Sequence, residues 1–114
     1  MDIGGREKRG FHIIDVVGKI DRLKDSIVLK SYMNSLIGKK IVRVALNLSQ
    51  VTYMDSGALN VLLYCHNALK KNGGNLVLIE LNEYVRDVLE VVGLTKIVTI
   101  YSTEEEFENE SQKH

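Results

Sequence analysis

Along the 114 residues, apolar and polar positions alternate between strand-like and helix-like runs. FHIIDVVG (11–18) is rich in branched and aromatic side chains and ends on Gly18, which predicts a strand. Apolar residues at Leu23, Ile27, Met33, Leu36 and Ile37 predict a helix from about Leu23 to Ile37, stopped by Gly38. IVRVALNL (41–48) places Val42, Val44, Leu46 and Leu48 on one face, and its other face is mostly apolar or small. Such a strand belongs inside a sheet, covered on both sides. The apolar segment continues to Met54, and a helix is expected from Ser56 to about Lys71, stopped by Asn72-Gly73-Gly74. On that helix Leu59, Leu62, Leu63 and Leu69 are expected to face the core. LVLIEL (76–81) reads as a second buried strand. Residues 83–92 read as a helix with Val85, Val88, Leu89 and Val92 on one face and Gly93 as its stop. KIVTIY (96–101) reads as a short strand. STEEEF (102–107) opens a last helix, where Thr103 and Glu106 have the spacing of a capping box. Two segments lack periodicity: GGREKRG (4–10), within a polar stretch 1–10, reads as a turn or loose end, and 108–114 as a loose tail.

Strands alternating with helices predict one α/β domain over 1–114, a mainly parallel sheet with flanking helices. Right-handed crossovers bring strand ends and helix starts to one edge of the sheet, where functional loops gather. Residues 55–57 lie on that edge, and so does Asp21 if the strand before it runs the same way.

Fifteen basic and fifteen acidic residues give a formal net charge of zero. That balance argues against nucleic acid and against an anionic membrane surface as partners. Cys65 is the one cysteine, so no internal disulfide can form and a reducing compartment is suitable. No apolar run reaches the length of a membrane span, and MDIGGREKRG lacks the apolar core of a signal peptide. These features predict a cytoplasmic protein.

The chemistry concentrates at Asp55-Ser56-Gly57. A serine just ahead of a helix is an N-cap, worth about 1 kcal/mol. The same place suits a modification site, because a helix start offers free amides and the positive end of the dipole to a phosphate. A nucleophilic serine would need a base within hydrogen-bond reach. His66 is ten residues along the helix, about 15 Å away by helical rise, and His12 begins a strand whose far end leads toward the site. The pattern is also not a G-x-S-x-G elbow. Metal-ligand spacings and phosphate-cradling glycine motifs are absent from the sequence, so no metal and no cofactor is expected. Cys65 and His66 read as mid-helix packing and boundary residues, and Glu104-Glu105-Glu106 as a solvated helix start. Asn60, Tyr64, Asn67 and Lys71 form a polar stripe rising from Ser56. It reads as a solvated face or as a docking strip with Tyr64 as its aromatic anchor.

The chain resembles the anti-sigma-factor antagonists of the STAS-domain family. The resemblance rests on Gly18-Lys19-Ile20-Asp21, Leu46-Asn47-Leu48-Ser49, Val51-Thr52-Tyr53-Met54-Asp55-Ser56, Lys71-Asn72-Gly73-Gly74 and Val91-Val92-Gly93-Leu94, in family order from about residue 11 to 107. It implies a mixed sheet with an antiparallel first strand at one edge, and no enzyme activity. It implies a partner, an anti-sigma factor that is also a serine kinase. That kinase would use ATP to phosphorylate Ser56, which ends binding, and a phosphatase would restore it. The partner surface would comprise Asp21, Asp55, Ser56, Gly57, Asn60 and Tyr64. Where the family usually reads D-S-[S/T/A]-G-L-G, this chain reads D-S-G-A-L-N, with Gly57, Ala58 and Asn60 as departures. Two other readings of the same site stand beside this one. One is a STAS module governing another signalling partner, such as a phosphatase or a multiprotein assembly. The other is a small domain that binds an anion or nucleotide at the helix start.

Overall fold

The computed structural model describes residues 1–112 of the chain. Its elements run in the order β1 (Asp2–Lys8), β2 (Phe11–Ile20), α1 (Leu23–Gly38), β3 (Arg43–Met54), α2 (Ser56–Lys71), β4 (Asn75–Ile79), α3 (Glu83–Val91), a 3-10 turn (Leu94–Lys96), β5 (Thr99–Tyr101) and α4 (Glu104–Gln112). The five strands are ordered as in the sequence, β1 antiparallel to β2 and the rest parallel. A parallel sheet in sequential order keeps its crossover helices on one face. The principal core fills that face: Ile14, Leu46, Leu48 and Leu78 from the strands meet Leu29, Met33, Leu62, Leu69 and Leu89 from the helices.

Residues 4–10, expected as a turn or loose end, instead belong mostly to strand β1, followed by a turn at Arg9 and Gly10. Alternating apolar residues do not mark this strand because its outward side chains are held by charge. On the back face Arg6 Nε lies 2.7 Å from Asp15 Oδ2, and both Arg6 and Lys8 pair with Glu104 of α4. Charged side chains also blunt a sheet edge against pairing with other chains. Gly5 is required for close approach: a methyl there would run into the Tyr32 hydroxyl and the His12 ring, which are themselves bonded at 2.8 Å.

Two helices bury only part of the apolar set that was expected, Met33 and Leu36 on α1 and Leu62 and Leu69 on α2. On α1 the buried apolar residues are Leu29, Met33 and Leu36, while Leu23 is 77% exposed and Ile27 is also exposed. At 100° per residue, Ile27 lies about 160° and Leu23 about 120° around the helix from Leu29. On α2 the buried stripe is Ala58, Val61, Leu62, Cys65 and Leu69, and Leu63 is 42% exposed. Val92, beyond the end of α3, is exposed as well. Gly93 does stop that helix, in the left-handed conformation at φ 79°. Cys65 is fully buried, and desolvation pushes its thiol up to about 12, so it is inert as a nucleophile.

The loose tail expected at 108–114 is helical as far as residue 112, as part of α4, and the last two residues lie outside the described ones. Thr103 opens the helix: its Oγ1 accepts from Glu106 N at 3.0 Å, and Glu106 Oε1 accepts from Ser102 N at 3.4 Å. This helix covers the sheet face away from α1, α2 and α3. Phe107 reaches down onto Phe11, Ile13, Ala45, Val77 and Ile79. Glu104 is therefore no solvated helix start. Its carboxylate takes Arg6, Lys8 and the Asn47 amide, and the Arg6 guanidinium holds it down at about 2.

A depressed carboxylate contributes stability that is fully present above its unfolded value of about 4.5 and lost as pH falls toward about 2. Glu104→Gln should therefore be less stable than the parent chain by about 1–2 kcal/mol at pH 7. The gap should close as pH is lowered from about 4.5 toward 2, which paired urea melts across that range will show.

Candidate functional site

β3 is longer than its hydrophobic core segment. It pairs with β4 only from Arg43 to Asn47, and its second half continues beside β2 alone. That overhang, ending with Ile20 opposite Met54, carries the Asp55-Ser56-Gly57 turn. Asp55 N donates to Ile20 O at 3.1 Å, which ties the two strand ends together. Asp21, the next residue along, is thereby brought beside the start of α2, as the parallel direction of β2 requires.

The cap at this helix is Asp55 and not Ser56. Asp55 has extended backbone, and its Oδ1 accepts from Ala58 N at 2.9 Å. Ser56 is the first helical residue, exposed, and its side chain takes no part in capping. The first-turn amides of Ser56 and Gly57 hold no hydrogen bond among the described residues. Asp55→Ala should accordingly cost about 0.5–2 kcal/mol of stability. Ser56→Ala should stay within about 0.5 kcal/mol, as an exposed substitution away from a cap does. Thermal melts of the two variants will separate these outcomes.

Gly57 marks a tight contact between α1 and α2. A Cβ there would sit 3.3 Å from Asp55 Oδ1 and 3.4 Å from Ser26 Oγ, and Ser26 is buried. Asn60 is exposed one turn further on. Tyr64 is half-buried and turned toward α1: its hydroxyl donates to Asn34 Oδ1 at 2.7 Å, and Lys30 Nζ lies 4.3 Å from its ring centre. The fold thus groups Asp21, Asp55, Ser56, Gly57 and Asn60 on one end, with Tyr64 about 12 Å down the helix.

Shallow clefts flank the serine on both sides. One, of about 390 Å³, lies between α1 and α2 and is lined by Leu23, Ile27, Lys30, Asp55 and Gly57. The other, of about 180 Å³, is lined by Ser56, Leu59, Asn60, Leu63, Val92 and Ile97. Of these apolar residues, Leu63 was expected to face the core, Val92 to share one face of its helix, and Leu23 and Ile27 to mark the helical period of α1. Here they border Ser56 as exposed or cleft-lining surface. For Leu23 and Ile27 the signal was available, because they are out of phase with the Leu29-Met33-Leu36 stripe.

Neither histidine among the described residues stands at this edge. His12 pairs with Val44 at the far end of the sheet and is bonded to Tyr32, while His66 is ten residues down α2. Among the described residues Ser56 is therefore without a histidine base. Among the described residues no group of three or more His, Cys, Asp or Glu side chains could hold a metal ion, and no helix is long and apolar enough to cross a membrane. The carboxylates of Asp21 and Asp55 stand at the same edge as the free amides of Ser56 and Gly57.

Known proteins share both the sequence and this architecture. The chain is 27% identical over 104 residues to the anti-sigma F factor antagonist of Paenibacillus polymyxa, covering 91% of this chain and 89% of that one. Its fold is similar to that of a candidate anti-sigma factor antagonist from Thermotoga maritima, at TM-score 0.84 and 24% identity, over 96% of this chain and 94% of that one. It is also similar to the Bacillus cell-fate determinant SpoIIAA in its phosphorylated form, at TM-score 0.74 and 17% identity, over 95% and 98% of the two chains. The STAS domain family model matches residues 5–107. With an antiparallel edge strand, three parallel crossovers and the Asp55-Ser56 turn all within that span, this chain belongs to the STAS domain family.

Proposed function

We propose that this protein is an anti-sigma factor antagonist that works by partner switching. It binds an anti-sigma factor that is also a serine kinase, using the edge formed by Asp21, Asp55, Ser56, Gly57 and Asn60, with Tyr64 at the border. The kinase transfers the γ-phosphoryl group of ATP to the Ser56 hydroxyl. ADP leaves, the serine proton passes to the kinase or to solvent, and the new charge ends the complex. A phosphatase returns the serine to its free form. A kinase that draws on ATP sets this cycle in the cytoplasm, and the chain itself catalyses no step of it.

The observation that carries this reading is the division of labour at the start of α2. Asp55 supplies the cap, so Ser56 is exposed and structurally idle. A hydroxyl in that position can be modified without cost to the fold. The free amides beside it would receive part of a phosphate's charge. The relatives support the reading: one is an antagonist of the anti-sigma F factor, and one structural neighbour is known in a phosphorylated form.

A STAS module serving another signalling partner is the second reading, favoured by Asn60. This exposed amide stands where the family usually has glycine, on the surface a partner would meet. Affinity capture from the native host followed by mass spectrometry decides between the two. An anti-sigma kinase among the captured proteins, with phosphate on Ser56 in part of the chain, supports partner switching. Capture of a phosphatase or assembly component alone, with Ser56 unmodified, supports the second reading.

A further inference from the structure

Net charge is zero, yet the fold sorts the charges to opposite ends. β2, β3, β4 and β5 all begin at one end of the sheet, and α1 and α2 finish there. That end carries Lys39 and Lys40 after α1, Arg43 opening β3, and Lys70 and Lys71 in the last turn of α2. All five are exposed, and among the described residues none of them has a carboxylate partner. Elsewhere Arg6, Lys8 and Arg22 are each matched with an acid. A cleft of about 270 Å³ opens between Lys40 and Arg43, and Glu7 also lines it without pairing with either.

The opposite end, where the strands finish and α3 begins, presents Asp21, Asp55, Glu83 and Asp87. Lys19, Lys24 and Arg86 dilute this edge but leave it acidic on balance. Lysines in the last turn of a helix are favoured by its dipole. That accounts for Lys70 and Lys71, but not for Arg43 on a strand, nor for the missing acids. Nucleic acid is a poorer fit to the basic end than a carboxylate surface. Phe11, at this end, is buried with Arg43 lying 4.4 Å over it, and the nearby Tyr32 is held by its hydrogen bond to His12.

We propose that the basic end of one copy docks on the acidic edge of a second copy, with Lys39, Lys40 and Arg43 set against Asp21, Glu83 and Asp87. A chain with no net charge meets no long-range repulsion from its own kind, and separated charges align the copies head to tail. The contact is heterologous, so it grows short chains and not a closed dimer. Its ion pairs are exposed, individually weak and sensitive to salt.

Sedimentation velocity over a concentration series of the full chain tests this. In about 10 mM salt, where the Debye length is about 30 Å, the weight-average sedimentation coefficient should rise with concentration. In about 1 M salt, where that length is about 3 Å, the rise should vanish. Lys39→Glu/Lys40→Glu and Glu83→Lys/Asp87→Lys should each sediment as monomers at low salt, with thermal melts confirming that both fold. Mixed together, the two variants should associate again, because the basic end of one still meets the acidic edge of the other and the two reversed ends are complementary as well. A parent chain that stays monomeric at low salt overturns the proposal. So does self-association that survives in both variants. A duplex oligonucleotide bound by a monomeric parent chain, and released by Lys39→Glu/Lys40→Glu, would assign the basic end to nucleic acid instead.

Discussion

Ser56→Asp should bind the anti-sigma partner about 30- to 5000-fold more weakly than the parent chain, while Ser56→Ala should bind nearly as well as the parent. The range follows from the cost of closing an interface over an unpaired charge, about 2–5 kcal/mol, at 1.36 kcal/mol per decade. Aspartate at position 56 would face the partner beside Asp21 and Asp55, which add to its negative charge. Stability should not follow the same order. The cap resides on Asp55, so Ser56→Ala removes no hydrogen bond of the described fold. An acid at the first helical position gains about 0.3–1 kcal/mol from the dipole. Repulsion from Asp55 offsets part of that gain. Both variants should thus melt close to the parent while their affinities separate widely. Calorimetric titration of each variant against the partner, run beside thermal melts, reads both quantities. Equal affinity of Ser56→Asp and the parent would remove Ser56 from the interface.

The largest stability effect is expected at the other face of the sheet. Phe107 is 1% exposed, with edge-to-face contacts to Phe11 at 5.1 Å and Tyr101 at 5.5 Å between ring centres. It is the one fully buried apolar side chain that α4 contributes among the described residues. Phe107→Ala should cost about 3–5 kcal/mol. In a domain of this size that lowers the melting temperature by roughly 10–25 °C. Without Phe107 the helix is left with the ion pairs of Glu104 and Glu108, which are partly exposed and cannot hold it alone. Hydrogen exchange should therefore show α4 losing protection before the strands do. If protection of α4 survives in Phe107→Ala, the helix is held by its charges and the ranking of the two contributions is reversed.

The central strands β3 and β4 were legible because their paired segments are buried on both faces and read as apolar runs, whereas the strand expected at 96–101 is confined to Thr99–Tyr101, with Lys96 in the 3-10 turn and Ile97 exposed. The helix stops at Gly93 and at Asn72-Gly73 were legible from turn chemistry. β1 was not, because Gly4, Gly5, Arg6 and Lys8 owe their positions to a hydroxyl-imidazole contact and an ion-pair network, and neither leaves a periodic trace. α4 was legible at its start, through Thr103, but not in its length, since Phe107 is its single anchor. At the site, the sequence located Ser56 and its edge correctly. It misassigned the cap, because either Asp55 or Ser56 could serve and only the backbone decides. It also placed Leu63 on the core face, because an apolar residue in a helix is read as buried unless its phase is checked, and it used Leu23 and Ile27 to mark a helix from which both turn outward.

The central claim is that Ser56 is a switch and not a structural serine. The most direct measurement is incubation of the chain with its anti-sigma kinase and ATP, followed by phosphate mapping and calorimetric titration of the product. The account predicts a single phosphate, on Ser56, and a modified chain that binds the kinase at least about 30-fold more weakly than the free one. An unmodified Ser56, or a phosphorylated chain that binds as tightly as before, would contradict it.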